Sequence, residues 1–408
     1  MTLDALTDEV LARCEVLGAI SEERGRLTRT FLCPQFRAVH EHLAVWMADA
    51  GLRVRMDAAG NTIGQSKPRS NRSRIFLVGS HVDTVPDAGK FDGILGVVLG
   101  IAAAKLLSDR TFSRRLDVIA FSEEEGVRFR TPYLGSLAVC GKLEAGHLAA
   151  RDATGAAVSE AIRQFGLDPA ELPLAAYPPK RVAGYLETHI EQGPVLESLD
   201  LSLGFVPAIM GQTRAWLTFT GQAGHAGTSP MLLRRDALAA GAAFVSSVER
   251  VGRATEGLRA TVGSLTVLPN VGNVIPGEVK LSLDVRHAND EIREQAVAQL
   301  HAEARALAKE RRLTLHLKRT LEQAATACAA GLTARLARVM EEHGHRAVPV
   351  VSGAGHDAVI MAGLCPVAML FLRSPGGVSH HPSESVRRED VKAALIVMTT
   401  FLERELTG

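Results

Sequence analysis

Charge of one sign is missing from this 408-residue chain: 46 basic residues are set against 45 acidic ones, for a formal net charge of +1. That balance leaves no electrostatic footprint for nucleic acid or an anionic membrane surface, and no nucleic-acid partner is expected. No run of about 18 uninterrupted apolar residues is available to span a bilayer, so no membrane partner is expected either. The five cysteines, Cys14, Cys33, Cys140, Cys328 and Cys365, are odd in number and lack CxxC spacing. This argues against both a disulfide framework and a thiolate zinc site. Met1 to Arg13 mixes Asp4, Asp8, Glu9 and Arg13 among apolar residues, where a secretory signal would place a basic stretch and then an apolar one. A cytoplasmic location is the expectation. Internal repeats and low-complexity tracts are absent as well.

What is present describes a folded chain with more than one core. Hydrophobic residues make up 46% and charged residues 22%, ordinary for a globular protein, and the length exceeds what one core usually supports. Apolar runs at Ile75 to Gly79 and Leu116 to Phe121 read as buried parallel strands, with a helix from Gly93 to Leu107 between them. From Gly211 to Thr320 the order is β-α-β-β-α-β. Strands are predicted at Thr213 to Thr220, Ala260 to Leu268, Glu278 to Arg286 and Leu313 to Lys318, with helices at Arg235 to Val251 and Glu291 to Lys309. Alternation then resumes with a helix near Leu332 to His343, strands at Val348 to Val351 and Pro366 to Leu372, and a closing helix from Glu389 to Glu405. The expected architecture is an α/β catalytic core with a mostly parallel sheet over residues 1–210 and 323–408. A ferredoxin-like dimerisation or lid domain over 211–322 interrupts it.

Metal-ligand residue types fall at the predicted strand ends. His81 follows the first run within Gly79-Ser80-His81-Val82-Asp83-Thr84, Asp92 precedes the helix, and Glu124-Glu125-Gly126 follows the second run. Open α/β sheets place their sites at carboxyl ends of strands. His189 lies in Glu187-Thr188-His189-Ile190-Glu191-Gln192-Gly193, and His380 follows the Gly-rich Ser374 to Ser379. Two divalent ions need about five or six N and O donors, one of them a carboxylate able to bridge, and such a pair activates water at neutral pH. A carboxylate at Asp83 could fix the tautomer of His81. Each residue alone has a plainer reading: Asp92 as a helix N-cap, the glutamates as a solvated acidic run, the histidines as surface residues. Because Glu124 and Glu125 are adjacent, an extended backbone would point them to opposite sides. Glu125 is therefore assigned to metal and Glu124 to general base and acid.

Seven segments occur in an order that resembles the hydantoinase/carbamoylase amidase branch of the dinuclear metallopeptidase and aminoacylase superfamily. They are Gly79 to Thr84, Phe91-Asp92-Gly93, Glu124 to Phe129, His189 to Pro194, Gly224 to Met231, Asn273 to Glu278 and Ser379-His380-His381-Pro382. The resemblance implies two divalent ions, Zn²⁺ or Mn²⁺, one held by His81, Asp92 and His189 and the other by Asp92, Glu125 and His380. It implies a homodimer through the inserted domain, with His225 reaching the partner's site to stabilise the oxyanion. Asn273 and Arg286 would grip the substrate carboxylate, Gln192 would position the ureido group, and Gly355 and His356 would line the pocket. The implied reaction is hydrolysis of a ureido C–N bond in a small carboxylate, with allantoate preferred. N-carbamoyl-L-amino acids or β-ureidopropionate are the alternatives, and an aminopeptidase or an inactive binding dimer are remoter ones. His381 beside His380 departs from the pattern, which expects a small or amide residue there.

Overall fold

The computed structural model describes residues 2–70 and 72–408. The chain divides into a larger unit, which ends at Pro207 and resumes over Cys328–Gly408, and a smaller unit, Ala208–Ala327.

The larger unit is built on seven strands: β1 (Arg53–Met56), β2 (Thr62–Gln65), β3 (Ile75–His81), β4 (Arg115–Phe121), β5 (Val182–Ile190), β6 (Leu203–Phe205) and β16 (Val367–Leu372). Their order is β1-β2-β4-β3-β5-β16-β6. The central pairings β4–β3, β3–β5 and β5–β16 are parallel. The outer pairings β1–β2, β2–β4 and β16–β6 are antiparallel. The sheet is therefore mixed, which corrects the expectation of a mostly parallel one. Turn chemistry explains the β1–β2 edge. Asp57 Oδ1 accepts from the amides of Ala59 (2.9 Å) and Asn61 (3.0 Å), and Gly60 takes φ +83°, which folds the chain into a hairpin.

The central strands are buried along nearly their whole length, as strands covered on both faces must be. Helix Ile94–Leu106 fills one face with a sequence apolar all round. It packs against helices Leu3–Gly18 and Arg388–Thr407. Glycine lets it approach the sheet: a Cβ on Gly96 would stand 2.0 Å from the Thr188 carbonyl oxygen. The predicted strand at Val348 to Val351 reduces to a single bridge between Phe205 and Pro349.

The smaller unit has β8 (Gly211–Thr220), β10 (Arg259–Thr261), β11 (Leu265–Leu268), β13 (Glu278–His287) and β14 (Thr314–Gln323) in one antiparallel sheet. Its order is β10-β13-β8-β14, with β11 also on β13. The ladder of β8 and β13 continues, after a break, into β9 (Gly224–His225) against β12 (Val274–Ile275). Short β7 (Ala208–Ile209) pairs with β15 (Thr326–Ala327). Burial alternates along β13, with Val279, Leu281, Leu283 and Val285 in a core shared with Phe244, Val248, Val297 and Leu300 of helices Ala237–Ala254 and Asp290–Glu310. This period of two is what a sheet with one covered face requires. Asp236 and Asn289 cap the two helices by accepting from the amides of Ala239 and of Glu291 and Ile292.

Candidate metal centre

Strands β4, β3, β5 and β16 run parallel side by side, so their carboxyl ends deliver side chains to one edge of the larger unit. His81 ends β3 and His189 lies one residue before the end of β5. Glu124 and Glu125 follow β4, Asp92 stands just ahead of helix Ile94–Leu106, and His380 lies in the loop after β16. Three groups of donor atoms each fall within 4.8 Å of one another: His81–Asp92–His189, His81–Glu124–Glu125 and Asp92–Glu125–His380.

Asp92 is the shared member of two groups. Its Oδ1 is 3.0 Å from His189 Nε2 and 3.7 Å from His81 Nε2, while its Oδ2 is 3.0 Å from His380 Nε2. His380 Nε2 also lies 3.6 Å from Glu125 Oε1. The two buried imidazoles are oriented from behind. Nδ1 of His189 is 2.9 Å from the Ile190 carbonyl, and Nδ1 of His81 is 3.1 Å from the Asp83 carbonyl, so both present Nε2 to Asp92. The Asp83 carboxylate is 3.4 Å from His81 Nδ1, and it accepts from the amides of Glu124 (2.9 Å) and Glu125 (3.1 Å). Its firmer hold is on the acidic loop, whereas the sequence pointed to the imidazole.

The adjacent glutamates do not diverge as an extended backbone would make them. Strand β4 ends at Phe121, and the chain then bends through Gly126 at φ +70°. Both carboxylates consequently join His81 in one group. Of the paired histidines, His380 turns to Asp92 with a left-handed backbone, φ +56°, and His381 Nδ1 instead pairs with the Ser383 hydroxyl at 2.7 Å. Non-glycine residues held at positive φ are strained, and such strain concentrates at functional sites. Gln192, at φ +58°, is another. Its Nε2 donates to both oxygens of Asp92 (3.2 and 3.1 Å), and its Oε1 is buried without a hydrogen-bond partner.

The electrostatics describe a site that protons and cations compete for. Burial pushes Glu124 well above the usual carboxylate range; His81 opposes this, and the carboxylates of Asp357, Asp83 and Asp92 add to it. Burial and the Glu124 and Asp92 charges likewise raise Glu125. Burial acts to raise Asp92 too, but hydrogen bonds from His189, His380 and His81 hold it well below its ordinary value. A divalent cation would neutralise this concentration of buried carboxylates, and His and carboxylate donors facing inward suit such an ion. Together with the unpartnered Gln192 Oε1, the donor set fits a metal.

Gly355 and His356 stand behind this cluster. A Cβ on Gly355 would meet the Tyr133 hydroxyl at 2.1 Å and Glu124 Oε1 at 3.5 Å, so glycine is needed for the chain to pass. His356 is buried, with its Nε2 2.8 Å from the Ser352 hydroxyl and its ring edge-on to His189 at 4.5 Å between centroids. Its ring packs against that of His189. Of the remaining expected site residues, His225, Asn273 and Arg286 belong to the smaller unit. Asn273 accepts through its carbonyl from the Ala226 amide, beside His225 on the β9–β12 ladder. Arg286 sits eight residues along β13 from Glu278, on the order of 26 Å at strand spacing. Its guanidinium makes a bidentate pair with Asp284, both contacts at 2.8 Å.

Gly93 gives the centre a direct test. It takes φ +66°, and a Cβ there would lie 2.5 Å from Cδ2 and Nε2 of His81. Gly93→Ala should displace that ring and, in a metal titration, weaken binding by about 10-fold or more, as loss of ligand orientation does. Wild-type affinity in this variant would mean that His81 does not bind metal through Nε2.

The site and the fold meet in known proteins. The sequence pattern of Peptidase family M20/M25/M40 matches residues 77–404, and the chain belongs to that family. Within it, the chain is 39% identical over 436 residues to a probable allantoate deiminase of Oryza sativa subsp. japonica, covering 98% of this chain and 89% of the relative. It is 40% identical over 377 residues to an N-carbamoyl-L-amino acid amidohydrolase of Geobacillus stearothermophilus, covering 92% of each. Among solved structures it is similar to a hydantoinase/carbamoylase family amidase from Burkholderia multivorans, with a TM-score of 0.93, 29% identity and 98% of each chain covered.

Proposed function

We propose that the chain is a two-cation amidohydrolase that cleaves the ureido C–N bond of a small carboxylate, with allantoate as the substrate and ureidoglycine, carbon dioxide and ammonia as products. The observation that carries this reading is Asp92, whose two oxygens face two different donor groups, His81 with His189 on one side and His380 with Glu125 on the other. Glu124 belongs to neither Asp92 group and is left for proton transfer. When bound, Zn²⁺ or Mn²⁺ would polarise the ureido carbonyl and make water acidic enough to attack at neutral pH.

The chain's own residues then account for the remaining steps. Glu124 takes a proton from the water as its oxygen bonds to the ureido carbon. It passes that proton to the terminal nitrogen as the C–N bond breaks and ammonia leaves. The carbamate so formed loses carbon dioxide. Asp83 holds Glu124 and Glu125 in place through their amides, and Gln192, beside Asp92, is placed to orient the ureido group.

In this reading residues 1–210 and 323–408 form the catalytic domain, and 211–322 form a ferredoxin-like lid that also makes the homodimer. The positions of Asn273 and His225 relative to Arg286 support two subunits per site. Within one smaller unit they lie at opposite ends of β13, too far apart to grip a single small substrate. The partner would supply His225 to the oxyanion and Asn273 to the carboxylate, and the same chain would supply Arg286, which exchanges Asp284 for the substrate. Five free cysteines, four of them buried, suit a reducing cytoplasm. Among the described residues, no helix is long and apolar enough to cross a membrane.

The relatives divide on substrate, and the similarity to the Geobacillus enzyme supports N-carbamoyl-L-amino acid hydrolysis as the second reading. Ammonia release from allantoate and from N-carbamoyl-L-methionine decides between them. The expected result is kcat/KM at least about 10-fold higher for allantoate, a difference of some 1.4 kcal/mol in the barrier. The opposite ratio would assign the second function. Release from neither, with Zn²⁺ or Mn²⁺ supplied, would overturn the ureido reading.

A further inference from the structure

The bridging role proposed for Asp92 requires its carboxylate to be fixed, yet residues 82–93 around it form neither helix nor strand. The support comes from a residue 292 positions away. Glu384, 3% exposed, accepts through Oε1 from the amides of Phe91 (2.9 Å) and Asp92 (3.1 Å). Its Oε2 lies 3.2 Å from the Ser379 hydroxyl, which is itself 3.3 Å from Asp92 Oδ2. The Glu384 carboxyl also packs on Gly89, where a Cβ would come within 2.3 Å of it. Any larger residue at 89 would expel it.

Resting on the two-cation reading, we propose that Glu384 is a positioning residue that assembles one metal position in preference to the other. His81 and His189 sit at the ends of β3 and β5, where ladder hydrogen bonds fix them whatever Glu384 does. The Asp92–Glu125–His380 position has no such frame. His380 is on a loop, half exposed and at positive φ, and it meets Asp92 where Gln192 and Glu384 both tie the segment 379–384 to the segment 89–92. Glu384 makes that tie twice, to the backbone of the Asp92 segment and, through Ser379, to the side chain of Asp92. Carboxylates that orient ligands in this way are commonly worth 10- to 100-fold in metal affinity. Asp92 serves both positions, so the larger share of the effect should fall on the ion that His380 holds.

The test is a titration of the full chain, stripped by chelator, with Co²⁺, reading both heat and the visible d–d bands, for wild type, Glu384→Ala, Glu384→Gln and Ser379→Ala. The expected result for Glu384→Ala is a first equivalent bound within about twofold of wild type and a second weakened by about 10-fold or more, its band displaced. Glu384→Gln keeps an acceptor for the two amides and should recover most of the second step. Should Glu384→Ala fail to fold, Ser379→Ala carries the test, since it removes the hydroxyl that lies between Glu384, Asp92 and Gln192 and should weaken the second step more than the first. Equal weakening of both steps, or no change in either, would overturn the assignment of Glu384. A wild-type chain that binds one equivalent only would instead overturn the two-cation reading on which it rests.

Discussion

Glu124→Gln is expected to lower kcat by about 10²- to 10⁴-fold, the usual worth of a positioned general acid–base, while metal content stays at the wild-type level. The amide keeps the size and the backbone contacts of the glutamate, including the Glu124 amide on Asp83, so the loss isolates proton transfer. Glu124 must be deprotonated to accept the proton of water. In the metal-free chain its burial among Asp357, Asp83 and Asp92 raises its pKa well above the ordinary carboxylate value; bound cations favour the ionised form that the step requires, and the loaded wild-type enzyme should show an acid limb set by Glu124 in its pH–rate profile. That limb should vanish in the variant. Undiminished ammonia release by a variant of normal metal content would remove Glu124 from the mechanism.

The same shift has a consequence for stability. A carboxyl whose pKa is higher in the fold than in the unfolded chain binds its proton more tightly when folded. Its contribution is complete below the unfolded value and is lost as pH rises through the folded one. Glu123, Glu124 and Glu125 all shift this way, each chiefly through burial. Protein stripped of metal should therefore lose stability as pH rises above the ordinary carboxylate range, over the same interval in which added cation stabilises it most. The charge that makes the site catalytic makes it dependent on a cation.

Most of the centre was legible because a general rule located it. His81, Asp92, Glu125, His189 and His380 stand apart in sequence, but His81, Glu125 and His189 lie at or just after runs that read as strands, Asp92 precedes the helix that follows the first run, and His380 lies in the loop after the last one; parallel strands bring their carboxyl ends together. Side-chain reach beyond that rule was not legible. The divergence expected of Glu124 and Glu125 assumed that β4 continued, and it stops at Phe121. The antiparallel β1–β2 edge comes from an Asp57 turn whose hydrogen bonds are local and leave no mark on the hydrophobic pattern. Glu384 carries no spacing signal, since its partners Phe91 and Asp92 are 293 and 292 residues away. The spacing of Asp284 and Arg286 is a further legible signal: two apart on a strand, they share one face, and they pair.

Asp92→Asn should have the largest effect on the metal centre, reducing bound metal from the two equivalents of the proposed centre to fewer than about 0.2 per chain after dialysis against micromolar Zn²⁺, with activity lost in step. Asparagine preserves the shape of the side chain, and its amide can still meet Gln192 and Ser379, so the fold is not the casualty. What disappears is the one anionic group that lies within 3.0 Å of both His189 and His380. Without it each ion would keep two protein ligands, His81 and His189 on one side and Glu125 and His380 on the other, fewer than the three or four that hold a divalent ion firmly. Both ions should therefore leave together, whereas Glu384→Ala should release only one. Retention of one equivalent in Asp92→Asn, measured by atomic absorption, would show that Asp92 serves a single ion. Retention of two would show that it bridges none.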